Sequence, residues 1–403
     1  MGYEACRREN PPVNETMRGV RVALLSGGLS QGGAEKQLVY MAGALLRSGA
    51  DVRVYCLTRG DHYERALISL GISPVWIGRF GNPGARVVAL AAALRDFRPH
   101  ILQSTHFFSN LYVCLVAPLY RAVAIGSIRS DVYQEMKANG RWGPLLLRMP
   151  PAIIANSYTA RRNAERLGIP PVRIEVLPNV LDLAEFDAGG GPAPRPGGEG
   201  PPPVVIAVCR LVAAKRLDRF LKALSLARHE MPGIRGVIVG EGPEADGLTS
   251  LARELSLLPD GVSFLGRRDD VAGLLRGSDI VALTSEHEGF PNVVLEAMAA
   301  RLPVVTTPSG DSGVIVEDGV TGFVVEGDDI AGIARRIVTL SASAELRRTF
   351  GEAGRGKVER LYSADALGGM LLSTYRSIAA RLGHTGLAGM LSVNELSQEK
   401  ALA

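Results

Sequence analysis

Short apolar runs recur along this chain, each followed by a small or polar turn and then by a longer stretch with helical spacing. In the first half the runs lie at 21–25, 51–57, 74–77, 100–103, 122–127 and 152–156, with helices expected to open at 34, 85 and 158. In the second half they lie at 204–208, 236–239, 262–265, 279–283, 303–306 and 323–326, with helices expected at 217–227, 271–276, 292–300, 329–340 and 364–381. Runs that are apolar at nearly every position mark strands buried on both faces. Strand, turn and helix repeated in this order predict two doubly wound, Rossmann-like α/β domains with largely parallel sheets. Ligands then belong beyond the carboxyl ends of the strands.

Punctuation divides the chain further. Residues 1–17 are polar, lack an apolar signal core and read as a disordered lead-in. The first domain spans 18–183, and the Gly/Pro-rich run over 184–203 reads as a linker. The second domain spans 204–362. A last helix over 363–383 is expected to pack back on the first domain, and 384–403 to form a flexible tail.

Composition narrows the class. The 403 residues are enough for two domains of ordinary size. The four cysteines, Cys6, Cys56, Cys114 and Cys209, lie far apart without a CxxC pair, which fits reduced thiols in a cytoplasmic protein. No uncharged apolar stretch is long enough to span a membrane. The net charge of +4 is unevenly spread: from 18 to 180 there are 20 Lys/Arg against 9 Asp/Glu, and from 204 to the end 22 against 25. A first half near +11 beside a second near −3 points to an anionic partner for the first half alone. The segment Arg141-Trp142-Gly143-Pro144-Leu145-Leu146-Leu147-Arg148 mixes apolar and basic residues. It reads either as a membrane-surface patch or, the preferred reading, as a buried helix with basic ends.

Candidate chemistry sits at predicted strand ends. After the first run the loop Ser26-Gly27-Gly28 to Gln31-Gly32-Gly33 leads into a helix, a place where backbone can approach a ligand closely. It is neither GxGxxG nor a Walker loop. His106 follows the 100–103 run. In the second half Arg210 ends the 204–208 strand and Lys215 stands at the start of the next helix. After 279–283 comes Ser285-Glu286-His287-Glu288-Gly289-Phe290-Pro291-Asn292, with Pro291 suited to a first helical position and Glu296 one turn beyond Asn292. Two cations and a helix N-terminus at neighbouring strand ends suit a diphosphate. Asp269 and Asp270 read as helix capping, not as metal ligands.

Together these residues resemble family 4 retaining glycosyltransferases of the GT-B fold, in which two Rossmann-like domains face each other across a cleft. The carriers are Glu288 to Glu296, spaced as the family's E-x7-E motif, Gly32-Gly33-Ala34-Glu35, the Arg210…Lys215 pair, Gly240-Glu241-Gly242-Pro243, and Asp318-Gly319-Val320-Thr321-Gly322. They occur in family order over roughly residues 20–380. The resemblance implies a UDP- or GDP-linked sugar donor and a lipid-linked, glycan or polysaccharide-precursor acceptor, in cell-envelope glycoconjugate synthesis. Arg210 and Lys215 would hold the donor diphosphate. Glu288 would bind hydroxyls of the transferred sugar, aided by backbone around Gly289, Phe290, Pro291 and Asn292. Glu296 would take the ribose, Gly33 would approach the phosphates, and His106 would face the reacting sugar. No cofactor and no divalent metal are expected, and nucleic acid is not a partner. The protein would be cytoplasmic, with peripheral contact to an anionic membrane through the basic domain at the inner face of the plasma membrane. Competing readings are a GT-B sugar-nucleotide epimerase, a dinucleotide-dependent oxidoreductase, which lacks its GxGxxG, and a binding module without chemistry. Three departures from the family pattern stand out: Cys209 before Arg210, Val180-Leu181 within Asn179-Val180-Leu181-Asp182, and Pro308-Ser309-Gly310-Asp311 after Thr307.

Overall fold

The computed structural model describes residues 15–79, 81–189 and 202–392. It divides into two compact units, one running to Pro178 and resuming at Ala364, the other spanning Asn179–Ser363.

The first unit is built on seven parallel strands: β1 (Arg21–Ser26), β2 (Asp51–Cys56), β3 (Val75–Trp76), β4 (Ile101–Ser104), β5 (Val123–Ile128), β6 (Ala152–Ala155) and β7 (Ile174–Val176). Their order is β3-β2-β1-β4-β5-β6-β7, so the winding direction reverses between β1 and β4. Registers such as Leu25↔Tyr55 and Leu25↔Ser104 align the carboxyl ends of β1, β2 and β4. β4, β5 and β6 are buried along their whole length, including the polar Gln103 and Ser104 at the end of β4 and Ser127 in β5. The helix Leu367–Arg381 belongs to this unit and packs on the helix Gly33–Arg47. Leu371, Tyr375 and Ile378 are fully buried, and the Tyr375 hydroxyl donates to Gln103 Oε1 at 2.6 Å.

The second unit holds six parallel strands: β8 (Val204–Val208), β9 (Arg235–Val239), β10 (Val262–Phe264), β11 (Ile280–Leu283), β12 (Val304–Thr306) and β13 (Gly322–Val324). The order β10-β9-β8-β11-β12-β13 reverses between β8 and β11. One face is filled by Leu217, Phe220, Leu221 and Leu224 with Ile333 and Ile337, the other by Val294, Leu295 and Met298 with Val358.

Several boundaries differ from the sequence reading. Residues 15–17 form a 3-10 turn, not a free lead-in, because Met17 is fully buried and its N–H donates to the Ser48 carbonyl. The unit boundary falls at Pro178, and the first residues assigned to the linker form the helix Leu183–Ala188. Asp182 caps that helix through Glu185 N–H, and a bidentate Arg355–Asp187 pair clamps its end. Residues 385–392, expected in the tail, are helical, with Leu387 and Leu391 buried at a four-residue spacing. The remainder of the lead-in, linker and tail, at 1–14, 190–201 and 393–403, lies outside the described residues.

Two helical expectations also change. The helix Ala344–Leu361 has no counterpart in the sequence reading, because its glycines at 351, 354 and 356 and its charge density blur an apolar stripe. Those glycines are there for packing: a Cβ on Gly351 would lie 2.0 Å from the Arg301 carbonyl oxygen. The helix Gly143–Arg148 buries only Gly143, Leu146 and Leu147, while Trp142 and Leu145 stay 54% and 44% exposed. The preferred reading of a buried helix therefore holds for one face only.

Candidate active site

In each unit the candidate residues gather where the winding of the sheet reverses, the crevice beyond the strand ends that suits a ligand.

In the second unit the chain leaves β8 through Cys209 and Arg210, makes a 3-10 turn at Ala213–Lys215, and passes through a left-handed Arg216 (φ 47°) into the helix Leu217–Glu230. This loop is clasped to the turn after β9. Leu211 N–H donates to the Glu241 carbonyl at 2.9 Å, and Glu244 N–H to the Leu211 carbonyl at 3.0 Å. Gly240 and Gly242 allow that contact, since a Cβ on either would meet the carbonyl oxygens of Cys209 and Leu211. The segment Gly240-Glu241-Gly242 thus shapes the cation-bearing loop.

Across the reversal, β11 leads into Thr284-Ser285 and the turn that carries Glu288. Glu286 N–H donates to the Ala214 carbonyl at 2.9 Å, and Thr284 Oγ1 to the Arg216 carbonyl at 3.0 Å, which ties the two loops together. Lys215 Nζ then reaches Glu288 Oε1 at 2.6 Å, and Ser285 Oγ donates to the same oxygen at 2.7 Å. The Lys215 and Glu288 side chains are 20% and 9% exposed, so each charge is largely desolvated and compensated by the other. Arg210 stands exposed at the end of β8. Burial pushes the Cys209 thiol up to about 12, against a lowering pull from Lys215. Cys209 is therefore a protonated packing residue and no nucleophile.

The Glu288 turn rests on the next loop. Thr307 Oγ1 donates to the Ser285 carbonyl at 2.6 Å, and Asp311 N–H to the Gly289 carbonyl at 3.1 Å. Gly310 (φ 57°) lies against this turn so closely that a Cβ would sit 2.5 Å from both the Glu288 and the Gly289 carbonyl oxygens. Departure from the family pattern here still leaves glycine at the point of contact.

Phe290 is buried edge-on against Tyr362, with ring centroids 5.8 Å apart. Pro291, expected as the first helical residue, is instead the cap of the helix Asn292–Ala299; its ψ of 99° is extended, so the helix proper starts one position later, at Asn292. Asn292 Oδ1 accepts from Asn179 Nδ2 at 2.8 Å, and Glu296 follows one turn later on the less buried face. Val180 and Leu181 are buried, and Leu181 N–H donates to the Tyr362 carbonyl. Those unusual residues therefore anchor the segment through packing. Asp270 stands at the N-cap of the helix Val271–Arg276 as expected, but its side chain pairs with Arg268 at 2.7 Å and makes no cap hydrogen bond.

In the first unit, Gly27 follows β1 and packs under the Phe108 ring, where no Cβ would fit. Its N–H donates to His106 Nδ1 at 3.1 Å, so the ring proton lies on Nε2, which faces Glu35 Oε1 at 3.3 Å. Burial raises the Glu35 carboxyl, but the His106 hydrogen bond and its own backbone N–H outweigh it and hold the group below the usual range. Gly33 is the first residue of the helix that carries Glu35, with Gly32 as its cap. Arg129, immediately after β5, reaches the same strand-end edge and was not singled out from sequence. Its position after an apolar run, like that of His106 after β4, was the available signal. Ser285 and Gly310 were passed over for a different reason: their roles exist only through neighbours brought in by other strands.

The comparisons bear on this arrangement. The family model described as Glycosyltransferase Family 4 matches residues 31–185, and that described as Glycosyl transferases group 1 matches 194–357. Between them they take in most of the chain. The chain belongs to the family 4 glycosyltransferases. Among curated relatives, N-acetyl-alpha-D-glucosaminyl L-malate synthase of Bacillus anthracis is 32% identical over 175 residues, 43% of this chain and 44% of that protein. The lipopolysaccharide core biosynthesis glycosyltransferase LpsE of Rhizobium meliloti is 32% identical over 165 residues, 41% of this chain and 47% of that protein. The chain thus spans about half the length of these relatives. The solved structure of Anabaena HepE in complex with UDP-glucose superposes with a TM-score of 0.75 at 19% identity, covering 89% of this chain and 99% of that one. Sucrose-phosphate synthase from Thermosynechococcus elongatus gives 0.72 at 18%, covering 90% and 100%. These neighbours establish the GT-B fold of this family 4 member, two Rossmann-like domains.

Proposed function

We propose that this family 4 member is a retaining glycosyltransferase that moves a hexose-type sugar from a UDP- or GDP-linked donor to an anionic, lipid-linked or glycan acceptor. The observation that carries the reading is the desolvated Lys215–Glu288 pair at the sheet reversal of the second unit, beside Arg210. A donor entering there would exchange one ion pair for two better-matched contacts. Its diphosphate would take Lys215 and Arg210, and hydroxyls of its sugar would donate to Glu288. Glu296 would accept from the ribose. Departure of the nucleoside diphosphate leaves charge on a phosphate oxygen, which two cations and the N-terminus of Asn292–Ala299 would stabilise without a metal ion. That phosphate oxygen would take the proton of the acceptor hydroxyl as the new glycosidic bond forms on the same face, so the anomeric configuration is kept. His106, with its proton directed at Glu35, would orient the acceptor in the first unit.

Names of relatives support both substrate classes. HepE was solved with UDP-glucose, and a Corynebacterium glutamicum relative is named as a GDP-mannose-dependent mannosyltransferase. L-malate and D-inositol 3-phosphate appear in the names of others, and both are anions. The exposed Trp142 and Leu145, flanked by Arg141 and Arg148, support peripheral contact with an anionic membrane, at the cytoplasmic face. Free Cys56, Cys114 and Cys209 fit such a reducing compartment.

The test is a panel of nucleotide sugars scored by thermal shift and by release of nucleoside diphosphate. One donor should stabilise the protein. Glu288→Gln should keep binding of the free nucleoside diphosphate while lowering transfer on the order of 10²-fold. No response to any nucleotide sugar, or full transfer by Glu288→Gln, would contradict the assignment.

A further inference from the structure

Arg129 is a cation without an explained role. It is the first residue after β5, next to β4, the strand that leads to His106, at the carboxyl edge of the first unit's sheet. Its carbonyl oxygen accepts from Asn156 Nδ2 at 2.9 Å, which holds its backbone between the ends of β5 and β6. Its Nε is buried and makes no hydrogen bond among the described residues. Arg173 and Arg381 also bury an unbonded Nε, but each guanidinium donates elsewhere to a backbone carbonyl, of Arg148 and Pro151, and Arg355 holds Asp187 and Glu359. Glu35 is near enough to act on Arg129 electrostatically, yet its own hydrogen bonds go to His106 Nε2 and Ser30 Oγ. Burial lowers the guanidinium only to about 10, so it stays charged at neutral pH. A guanidinium whose Nε is buried without an acceptor is a cost to the fold, and such a cost is met most simply by a ligand.

We propose that Arg129 is the anchor of a phosphoryl-binding subsite at the carboxyl edge of the first unit, holding a phosphate carried by the acceptor. The proposal deepens the glycosyltransferase reading and rests on it for the word acceptor, though the subsite itself does not require turnover. A guanidinium offers a planar fork of donors that matches two phosphate oxygens, and it is less strongly hydrated than an ammonium. The excess of basic residues between 18 and 180 would draw a phosphorylated molecule to this unit. Glu35, with its low-lying carboxyl already committed to His106, leaves Arg129 available.

The experiment uses the full chain and inorganic phosphate, at constant ionic strength, with melting temperature as the readout. Wild type should be stabilised saturably, and Arg129→Met should raise the apparent Kd for phosphate at least tenfold. Arg129→Met should be no less stable than wild type in phosphate-free buffer, because it removes a buried donor that has no acceptor. Arg129→Lys, which keeps the charge and loses the fork, should fall between the two. Lys215→Met, altered in the other unit, should retain the wild-type response, which separates this subsite from the donor diphosphate site. A response to phosphate alone marks a phosphate monoester as the source. A response to dimethyl phosphate as well marks the phosphodiester of a lipid-linked molecule. Equal stabilisation of wild type and Arg129→Met, or none of wild type, overturns the subsite. Either result leaves the donor assignment to be judged separately by the nucleotide-sugar panel.

Discussion

At the scale of single residues, the proposed donor-binding groups of the second unit are held largely by contacts between loops far apart in the sequence. Glu288 is positioned by Ser285, by Lys215 from the loop after β8, and by the backbone of the loop after β12. Gly310 is the most exacting of these contacts. Its φ of 57° is costly for a side chain, and an added methyl would strike two carbonyl oxygens of the Glu288 turn. Gly310→Ala should therefore cost about 1–3 kcal/mol of stability and displace Glu288. Donor titration should show KM for the nucleotide sugar rising more than kcat falls. An unchanged KM would mean that the turn absorbs the methyl elsewhere. Asn292 and Asn179 form a similar long-range contact, 113 positions apart in sequence.

At the scale of elements, the helices decide which surfaces are covered. The helix Leu183–Ala188 is short and capped by Asp182, and its far end is fastened by the Asp187–Arg355 pair at 2.8 Å. The hydrogen bond from Arg355 holds the Asp187 carboxyl below its usual range, with burial opposing. A carboxyl whose folded pKa is depressed contributes stability that is present above its unfolded value, near 4, and lost as pH falls through the folded one. Asp187 is 52% exposed, so solvent screening leaves a contribution of about 0.5–1 kcal/mol. Urea unfolding of wild type and Asp187→Asn should differ by that amount at pH 6, and the difference should shrink as the pH falls below the unfolded value. A gap that does not shrink with falling pH would assign the effect to packing. The strands were legible in the sequence because burial on both faces demands unbroken apolar runs. Ala344–Leu361 was not, because its glycines serve contact with Arg301 and Met298 and carry no periodic signal of their own.

At the scale of the whole molecule, charge and exposed apolar surface coincide in the first unit. Trp142 and Leu145 project from the helix region that also carries Arg141 and Arg148, and Tyr133 is 44% exposed on the preceding helix. No described helix is long and apolar enough to cross a membrane. Such a surface should bind vesicles containing phosphatidylglycerol and release them as salt rises, since surface charge is screened over about 8–10 Å at physiological ionic strength. Trp142→Ser with Leu145→Ser should lower vesicle binding in a sedimentation assay and leave the melting temperature within a degree or two. Unchanged sedimentation would exclude this helix as the contact.

What the sequence by itself determined follows from short-range physics. Apolar runs specify buried parallel strands, glycines mark close turns, and the order of Gly33, Arg210, Lys215, Glu288 and Glu296 identifies the family. Those signals survive in a linear string because each depends on neighbours within a turn or a strand. The tertiary structure alone decided that Lys215 and Glu288 neutralise one another and that Gly310 supports the Glu288 turn. It also decided that Arg129 Nε is buried without a hydrogen-bonded partner. Each of these is a meeting of residues from separate strands, and such meetings are set by the order in which the strands are wound. In both sheets that order places the reversal beside β1 and β8, so the residues that matter converge from strands far apart in the chain.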